Sequence, residues 1–458
     1  MRTALLIALA LAFAAPSGAL ESTWHHVPFP EDMTPRVLDM DMDGGTVWLS
    51  TRSKGLLAYD GMTWVNHRAA DHPEQGNGLR SDRFKSTMFV DLSGGKWTVR
   101  ENPMWLDRLD DGGTFTDKTD DEWTYYDQAA GQLESGRVFS MAQDLAGNMW
   151  FGIRDESSTE PSMLELLIQD GANDEWHAFG DGFDPPIFSA QDVRGLEVDL
   201  QGRLWIIYDR SGVDVWDFGD YLSFDDDTIV HYGAVDGLPS DAVYAVHAAA
   251  DGRIWVGAGS GVAVLDRGGD YWRIVEWPDD LSDEDAVERV YDIDSDAQGH
   301  VWVGTDQGAA MILSGSEVWR TYGTIEDSLP SAPVSMIAVD QVDGTVWAVS
   351  GDPEFSPTSL YALESEFGPE RILMAYPNPW KETEADQKYI TILGAPPGSK
   401  VELFDITGQM VRELDATGEP FRWDSLDADL NEVASGVYIV RVETPAGEQL
   451  FTKIAIIR

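Results

Sequence analysis

The chain reads as an all-β protein, a seven-bladed β-propeller followed by a small immunoglobulin-like β-sandwich. Three observations lead there. A tryptophan after a glycine-containing turn recurs at Trp48, Trp97, Trp150, Trp205, Trp255, Trp302 and Trp347, with spacings of 49, 53, 55, 50, 47 and 45 residues. Around each tryptophan lie short alternating apolar runs divided by Gly- and Asp-rich turns, and helical periodicity is nearly absent. After Phe367-Gly368-Pro369 the repeat stops, and a different set of short strands begins.

The chain opens with Arg2, an apolar run from Ala4 to Ala15, and small residues at Ser17 and Ala19. That pattern predicts a signal peptide over residues 1–19. The run is too short to span a bilayer, and no later stretch is long enough. The expected division is propeller over residues 20–368 and sandwich over 369–458. The sequence has no cysteine, so neither domain is held by disulfides and thiol chemistry is absent.

Within the repeats, four copies share Asp-x-x-Gly-x-x-Trp, at Asp91, Asp144, Asp199 and Asp296; the other three keep the glycine as Gly45, Gly252 and Gly344. Asp and Gly suit a tight hairpin turn, one by capping it and the other by accepting positive φ. Each unit then reaches a second aromatic strand, at Trp64, Trp123, Trp176, Trp272 or Trp319, or at Ile229–Tyr232 in the fourth. Four strands per unit and seven units describe a propeller, because blades apolar on both faces bury one another only in a closed ring. The seventh unit, Val334 to Leu363, supplies three strands. The mature start, Trp24-His25-His26-Val27-Pro28-Phe29, reads as the missing outermost strand and is expected to close the ring.

The wording of the units resembles the two-component regulator propeller repeat. The residues that carry this are Gly237-Leu238-Pro239 through Trp255-Val256-Gly257, and Gly299 through Trp302-Val303-Gly304-Thr305 to Gly308. In that family the repeats often form sensor ectodomains of membrane-bound histidine kinases. Here there is neither a transmembrane helix nor a kinase domain to carry the signalling role. The C-terminal segment is similar to the type A sorting domain of the type IX secretion system and to the immunoglobulin-like domain of flagellar hook-cap proteins. Its carrying residues are Tyr376-Pro377-Asn378-Pro379, Val401–Asp405 with Thr407-Gly408-Gln409, Trp423-Asp424, Ser435-Gly436-Val437-Tyr438 and the end Lys453–Arg458. Asp429-Leu430-Asn431 departs from the family, which often has Gly there. This resemblance implies type IX-like secretion machinery as a partner and delivery to the cell surface or medium of a bacterium with an outer membrane.

The formal charge is −50, from 81 acidic and 31 basic residues. Such a surface repels nucleic acid and anionic lipid. It admits two readings, solubility in a salty medium or a calcium-loaded surface. Asp39-x-Asp41-x-Asp43 imitates the start of a calcium loop but lacks a bidentate ligand at its twelfth position, Ser50. Turn chemistry and a weak calcium site both fit, and no other cofactor is indicated. No nucleophile motif is present, and the histidines lack zinc-enzyme spacing.

The scarce arginines recur at fixed places. Arg52, Arg100, Arg154 and Arg210 follow the repeat tryptophan; Arg36, Arg83, Arg137 and Arg289 precede the innermost strand. Both loop sets emerge on one propeller face, which admits two readings: each arginine pairs with an Asp of the neighbouring blade, or the arginines line the mouth and suit carboxylate, sulfate or phosphate. Trp105 and Phe355 lie in longer loops of that face, where they either pack under their own loops or serve as sugar-stacking residues. The expected function is non-catalytic, sensor-like binding of a glycan or a surface protein at this face by a monomer. The alternatives are a polysaccharide lyase or hydrolase with its site at the mouth, and a structural cell-surface protein.

Overall fold

The computed structural model describes residues 24–30, 33–69, 71, 78–100, 106–126, 137–154, 162–169, 174–180, 188–190, 193–218, 227–269, 271–277, 289–314, 318–322, 333–341, 343–351, 357–363, 373–376, 380–381, 389–393, 395, 399–414, 421–444 and 449–458. The expected signal peptide, Trp105 and Phe355 lie outside these residues.

Seven four-stranded antiparallel sheets follow one another along the chain. Their innermost strands are Val37–Asp43, Phe84–Val90, Arg137–Gln143, Val193–Val198, Val243–Ala248, Val290–Ser295 and Val334–Val339. The repeat tryptophans sit on the second strands and are buried, six of them almost completely, between adjacent blades. The Asp-x-x-Gly-x-x-Trp frame is one hydrogen-bonded unit. Asp199 Oδ1 accepts from the Gln201 and Arg203 backbone N–H groups at 2.9 and 3.0 Å, while Oδ2 accepts from Trp205 Nε1 at 2.8 Å. Asp91 does the same for Trp97 at 2.8 Å, and Asp144 for Trp150 at 3.3 Å. In blade 6 His300 takes that role, its Nδ1 lying 2.9 Å from Asp296 Oδ2. The glycine is required because the turn puts it at φ 82° in blade 4, where a Cβ is strained. Asp199→Ala should therefore cost ~3 kcal/mol, since it strands a buried indole N–H and two turn amides. Urea denaturation checks this, and a loss under ~1 kcal/mol would show that the frame is decorative.

Closure follows the sequence expectation. His25–Val27 pairs antiparallel with Ser359–Leu363, in register His25↔Ala362, His26↔Tyr361 and Val27↔Leu360. Trp24 is 1% exposed and packs edge-on against Trp302 and Tyr322. A second latch joins blade 7 to blade 1: Val37 N–H donates to Thr358 Oγ1 at 3.0 Å, and Thr358 N–H donates to Pro35 O at 3.1 Å.

All seven innermost strands carry a bulge at the same rung. The register against the second strand slips between Val37 and Asp39, Val138 and Ser140, Val193 and Gly195, Val243 and Ala245, Val290 and Asp292, and Val334 and Met336. In blade 2 the slip spans Phe84 to Met88. A bulge leaves its extra residue without a cross-strand partner and re-aims the side chain.

The C-terminal segment is a sandwich of a three-stranded and a five-stranded sheet. Trp423, Ile390, Val401, Leu403, Val440, Val442 and Ile454 fill its core. The terminal Arg458 donates from Nε to Val433 O at 2.6 Å and lies 5.2 Å over Trp380, which pins the end of the chain to the domain.

Candidate functional site

The bulges build the site. A central cavity of about 1170 Å³ is walled by the innermost strands, and the residue each bulge extrudes lines it. These are Leu38, Lys85 with Ser86 and Thr87, and Phe139 from blades 1 to 3. Arg194, Tyr244, Tyr291 and Ser335 complete the circle from blades 4 to 7. Arg52 joins the wall from the loop after the second strand of blade 1.

One arc of the rim is a cation–π stack. Arg194 lies 4.5 Å over the Tyr244 ring, Arg289 lies 5.0 Å over the same ring, and Arg289 also lies 5.7 Å over Tyr291. Tyrosine faces hold guanidiniums without neutralising them. Asp209 is 3.4 Å from Arg194 Nη1. Among the described residues, Arg52, Lys85 and Arg289 form no ion pair. In a chain with 81 acidic residues, cations around one opening that form no ion pair among the described residues are a built feature rather than an average surface.

Below the rim the wall turns acidic. Asp39 Oδ2 accepts from Thr87 Oγ1 and Met88 N–H at 2.6 and 3.0 Å, and Asp41 Oδ2 accepts from Val90 N–H at 2.7 Å. Asp292 and Asp294 reach Ile337 and Val339 N–H in the same way at 2.9 and 2.7 Å, and Glu197 reaches Ala248 N–H at 3.2 Å. Each carboxylate thus braces the channel-facing edge of the next blade, whose N–H groups have no strand to pair with. His247 Nε2 lies 2.7 Å from Ser295 Oγ. Burial raises the carboxyl pKa values: Asp41 to about 7, Glu197 and Asp292 to about 8, with Asp39 and Asp294 also raised. Mutual repulsion adds to the burial effect, and burial lowers His247. The folded state therefore holds protons that an unfolded carboxyl, with its pKa near 3.8, releases. Stability should fall as pH rises from ~5 through ~8, and Asp292→Asn should flatten that slope. Thermal melts across this range test it; a flat or rising profile would contradict the assignment.

The sequence-derived residues distribute unevenly around this site. Arg52 lies on the wall, and Arg289 stands behind Tyr244 and Tyr291. Arg36 shares a rung with Arg52, whose N–H donates to Arg36 O at 2.9 Å. Arg83 is exposed just ahead of its strand, and Arg210 is exposed on a left-handed turn at φ 62°. Arg137 and Arg154 oppose each other at one end of the blade 3 ladder, their side chains lying outside the described residues. Arg100 belongs elsewhere: it is buried inside blade 2, its Nε 2.7 Å from Asp107. Asp107, Glu165 and Asp214 occupy one position on the third strands of blades 2 to 4, all buried where blades 1 and 5 have Leu57 and Ala263. Asp43, the last of the calcium-like triplet, pairs with Lys96 of blade 2 at 2.6 Å. Asp39 and Asp41 serve as braces. No group of three or more His, Asp or Glu side chains among the described residues is arranged to hold a metal ion. Lys85, Arg194, Tyr244 and Tyr291 escaped the sequence reading. Their signal is positional, since each of them directly follows the Val or Phe that opens its innermost strand.

Residues 374–457 match the secretion system C-terminal sorting domain family. No curated protein matches the chain. Among solved structures, PorZ, a bacterial surface component of the type IX secretion system of Porphyromonas gingivalis, is 18% identical with a TM-score of 0.54, over 92% of this chain and 59% of that one. The extracellular domain of the putative hybrid two-component system BT3049 from B. thetaiotaomicron is 13% identical with a TM-score of 0.56, over 95% and 58%. YCF48 is 16% identical with a TM-score of 0.51, over 75% and 96%. The chain thus spans under two thirds of the length of PorZ and of BT3049's extracellular domain, and at these identities the likeness is one of fold. No helix among the described residues is long and apolar enough to cross a membrane. The chain is an exported β-propeller protein whose C-terminal segment is a type IX secretion sorting domain, directing it to the cell surface or the medium.

Proposed function

We propose that the propeller is a non-catalytic binding module that holds a glycan or a surface protein at the bulge-lined mouth. The observation that carries this is the rim itself, where side chains freed from the sheet ladder converge on one concave opening. Arg52 and Lys85 stand there with no ion pair among the described residues, beside Arg194 shared between Tyr244 and Asp209, on a chain that is otherwise strongly negative. Recognition there needs no catalytic machinery, and the carboxylates in the shaft are spent on backbone N–H groups. The sorting domain brings the binding face outside the cell, with type IX-like secretion machinery as the partner in transit.

The test is a screen of the mature full chain against immobilised glycans and against surface extracts, with and without calcium. Retention that Arg52→Gln and Lys85→Gln weaken supports the reading. Retention indifferent to both, or turnover of a polysaccharide, overturns it.

A further inference from the structure

We infer that the mouth selects acidic glycans, carbohydrate chains that carry carboxylate or sulfate groups; this rests on the binding reading above. Three features lead there. First, Arg194 and Arg289 are both stacked on Tyr244, so two guanidiniums are oriented before any ligand arrives. Planar forks held in this way suit the paired oxygens of a carboxylate or sulfate, and holding them removes part of the entropy cost of binding.

Second, three of the inner sheet edges, those of blades 2, 5 and 7, are closed to peptide. A polypeptide ligand gains most by adding a strand to a free edge, where main-chain groups supply the hydrogen bonds. Here the channel-facing N–H groups of Met88, Val90, Ala248, Ile337 and Val339 are already occupied by carboxylates of the preceding blades. What the mouth offers a ligand is side chains, and a polyhydroxylated, acid-bearing chain matches side-chain recognition without a strand.

Third, the charge is layered. Cations stand at the rim, and Asp39, Asp41, Glu197, Asp292 and Asp294 stand beneath them in the same cavity. The shaft acids are turned to backbone N–H groups of the next blade and offer an anion no cation, so an anionic group binds at the rim. The body's net charge also opposes a polyanion at long range. Binding should therefore be measured near ~0.15 M salt, where the Debye length is about 8 Å and only the contact shell counts.

The experiment titrates the mature full chain with polygalacturonate, dextran sulfate, unsubstituted dextran and polyglutamate. Arg194→Gln and Arg289→Gln are compared with Arg273→Gln, which removes the same charge from an exposed site on an outermost strand. The expected result is binding of polygalacturonate, dextran sulfate or both, with dextran silent. Arg194→Gln should lose about tenfold, the loss of one charge-assisted contact, Arg289→Gln should lose several-fold through the stack it supports on Tyr244, and Arg273→Gln should lose nothing comparable. The thermal midpoint of each variant identifies any that fails to fold. Should a rim variant misfold, Arg194→Lys keeps the charge, loses the fork, and is expected to retain only part of the affinity. Dextran binding as tightly as its sulfate, or rim variants no weaker than Arg273→Gln, overturns the inference and leaves the binding reading standing. Polyglutamate matching the glycans moves the ligand class to acidic peptide and overturns it as well. Silence toward all four polymers overturns it too, and if no immobilised glycan or surface extract is retained either, the binding reading falls with it.

Discussion

A mature chain lacking residues 24–27 is expected to lose ~5 kcal/mol or more of propeller stability, a large share of what a domain usually has. Trp24 alone accounts for much of this. It is 1% exposed between Trp302 and Tyr322, and removing a fully buried aromatic costs ~3–5 kcal/mol. The deletion also takes away the strand paired with Ser359–Leu363 and leaves that strand as an open edge. The latch from Val37 N–H to Thr358 Oγ1 remains, so blade 7 should loosen rather than leave. Denaturant midpoints and limited proteolysis near residue 360 report the two effects. A truncated chain that melts with the intact one would refute the closure. Trp24→Ala in the full-length mature chain separates packing from pairing, with an expected loss of ~3–5 kcal/mol by itself.

Lys96→Ala is expected to cost ~3 kcal/mol. Lys96 is completely buried, lies between Asp43 of blade 1 at 2.6 Å and Asp111 at 2.9 Å, and sits 4.8 Å over the Trp48 ring. Removing one member of a buried pair leaves the other as an uncompensated charge, with typical losses of 3–5 kcal/mol. The lower end applies here because Asp43 is about 31% exposed and water screens part of its charge. Asp111 is 7% exposed and bears most of the cost. Lys96→Met keeps the packing over Trp48, and Lys96→Met with Asp111→Asn should recover a good part of the loss. Chemical denaturation of the single and double variants forms the cycle. Additive losses would mean that Lys96 and Asp111 do not interact.

Much of the architecture was legible because the physics repeats. A buried tryptophan and its turn must recur in each blade, so Trp48 through Trp347 gave the blade number, and three strands after Val334 with a spare one at Trp24 gave the closure. The site was less legible. Spacing from the repeat tryptophan puts Arg52, Arg100 and Arg210 at one end of their strands, but not on the cavity wall. A partner decides that: Asp107 draws Arg100 into the blade, whereas Arg52 has no such neighbour and stays at the opening. The triplet from Asp39 to Asp43 imitates a loop because strand alternation puts three acids on one side. Its carboxylates go to N–H groups and to Lys96 on blade 2, a neighbour some fifty residues away that no local reading contains. Lys85, Arg194, Tyr244 and Tyr291 depend on a register slip, and a slip exists only once two strands are paired.

The recurring slip also makes the mouth rewritable. An extruded residue opposes no partner, so exchanging it disturbs neither the ladder beside it nor the tryptophan beneath. The ring offers such an interchangeable position in every blade, on a scaffold whose stability is settled elsewhere. A lineage, or an engineer, can spell a new specificity there one blade at a time, much as letters are changed in a lock whose frame stays fixed.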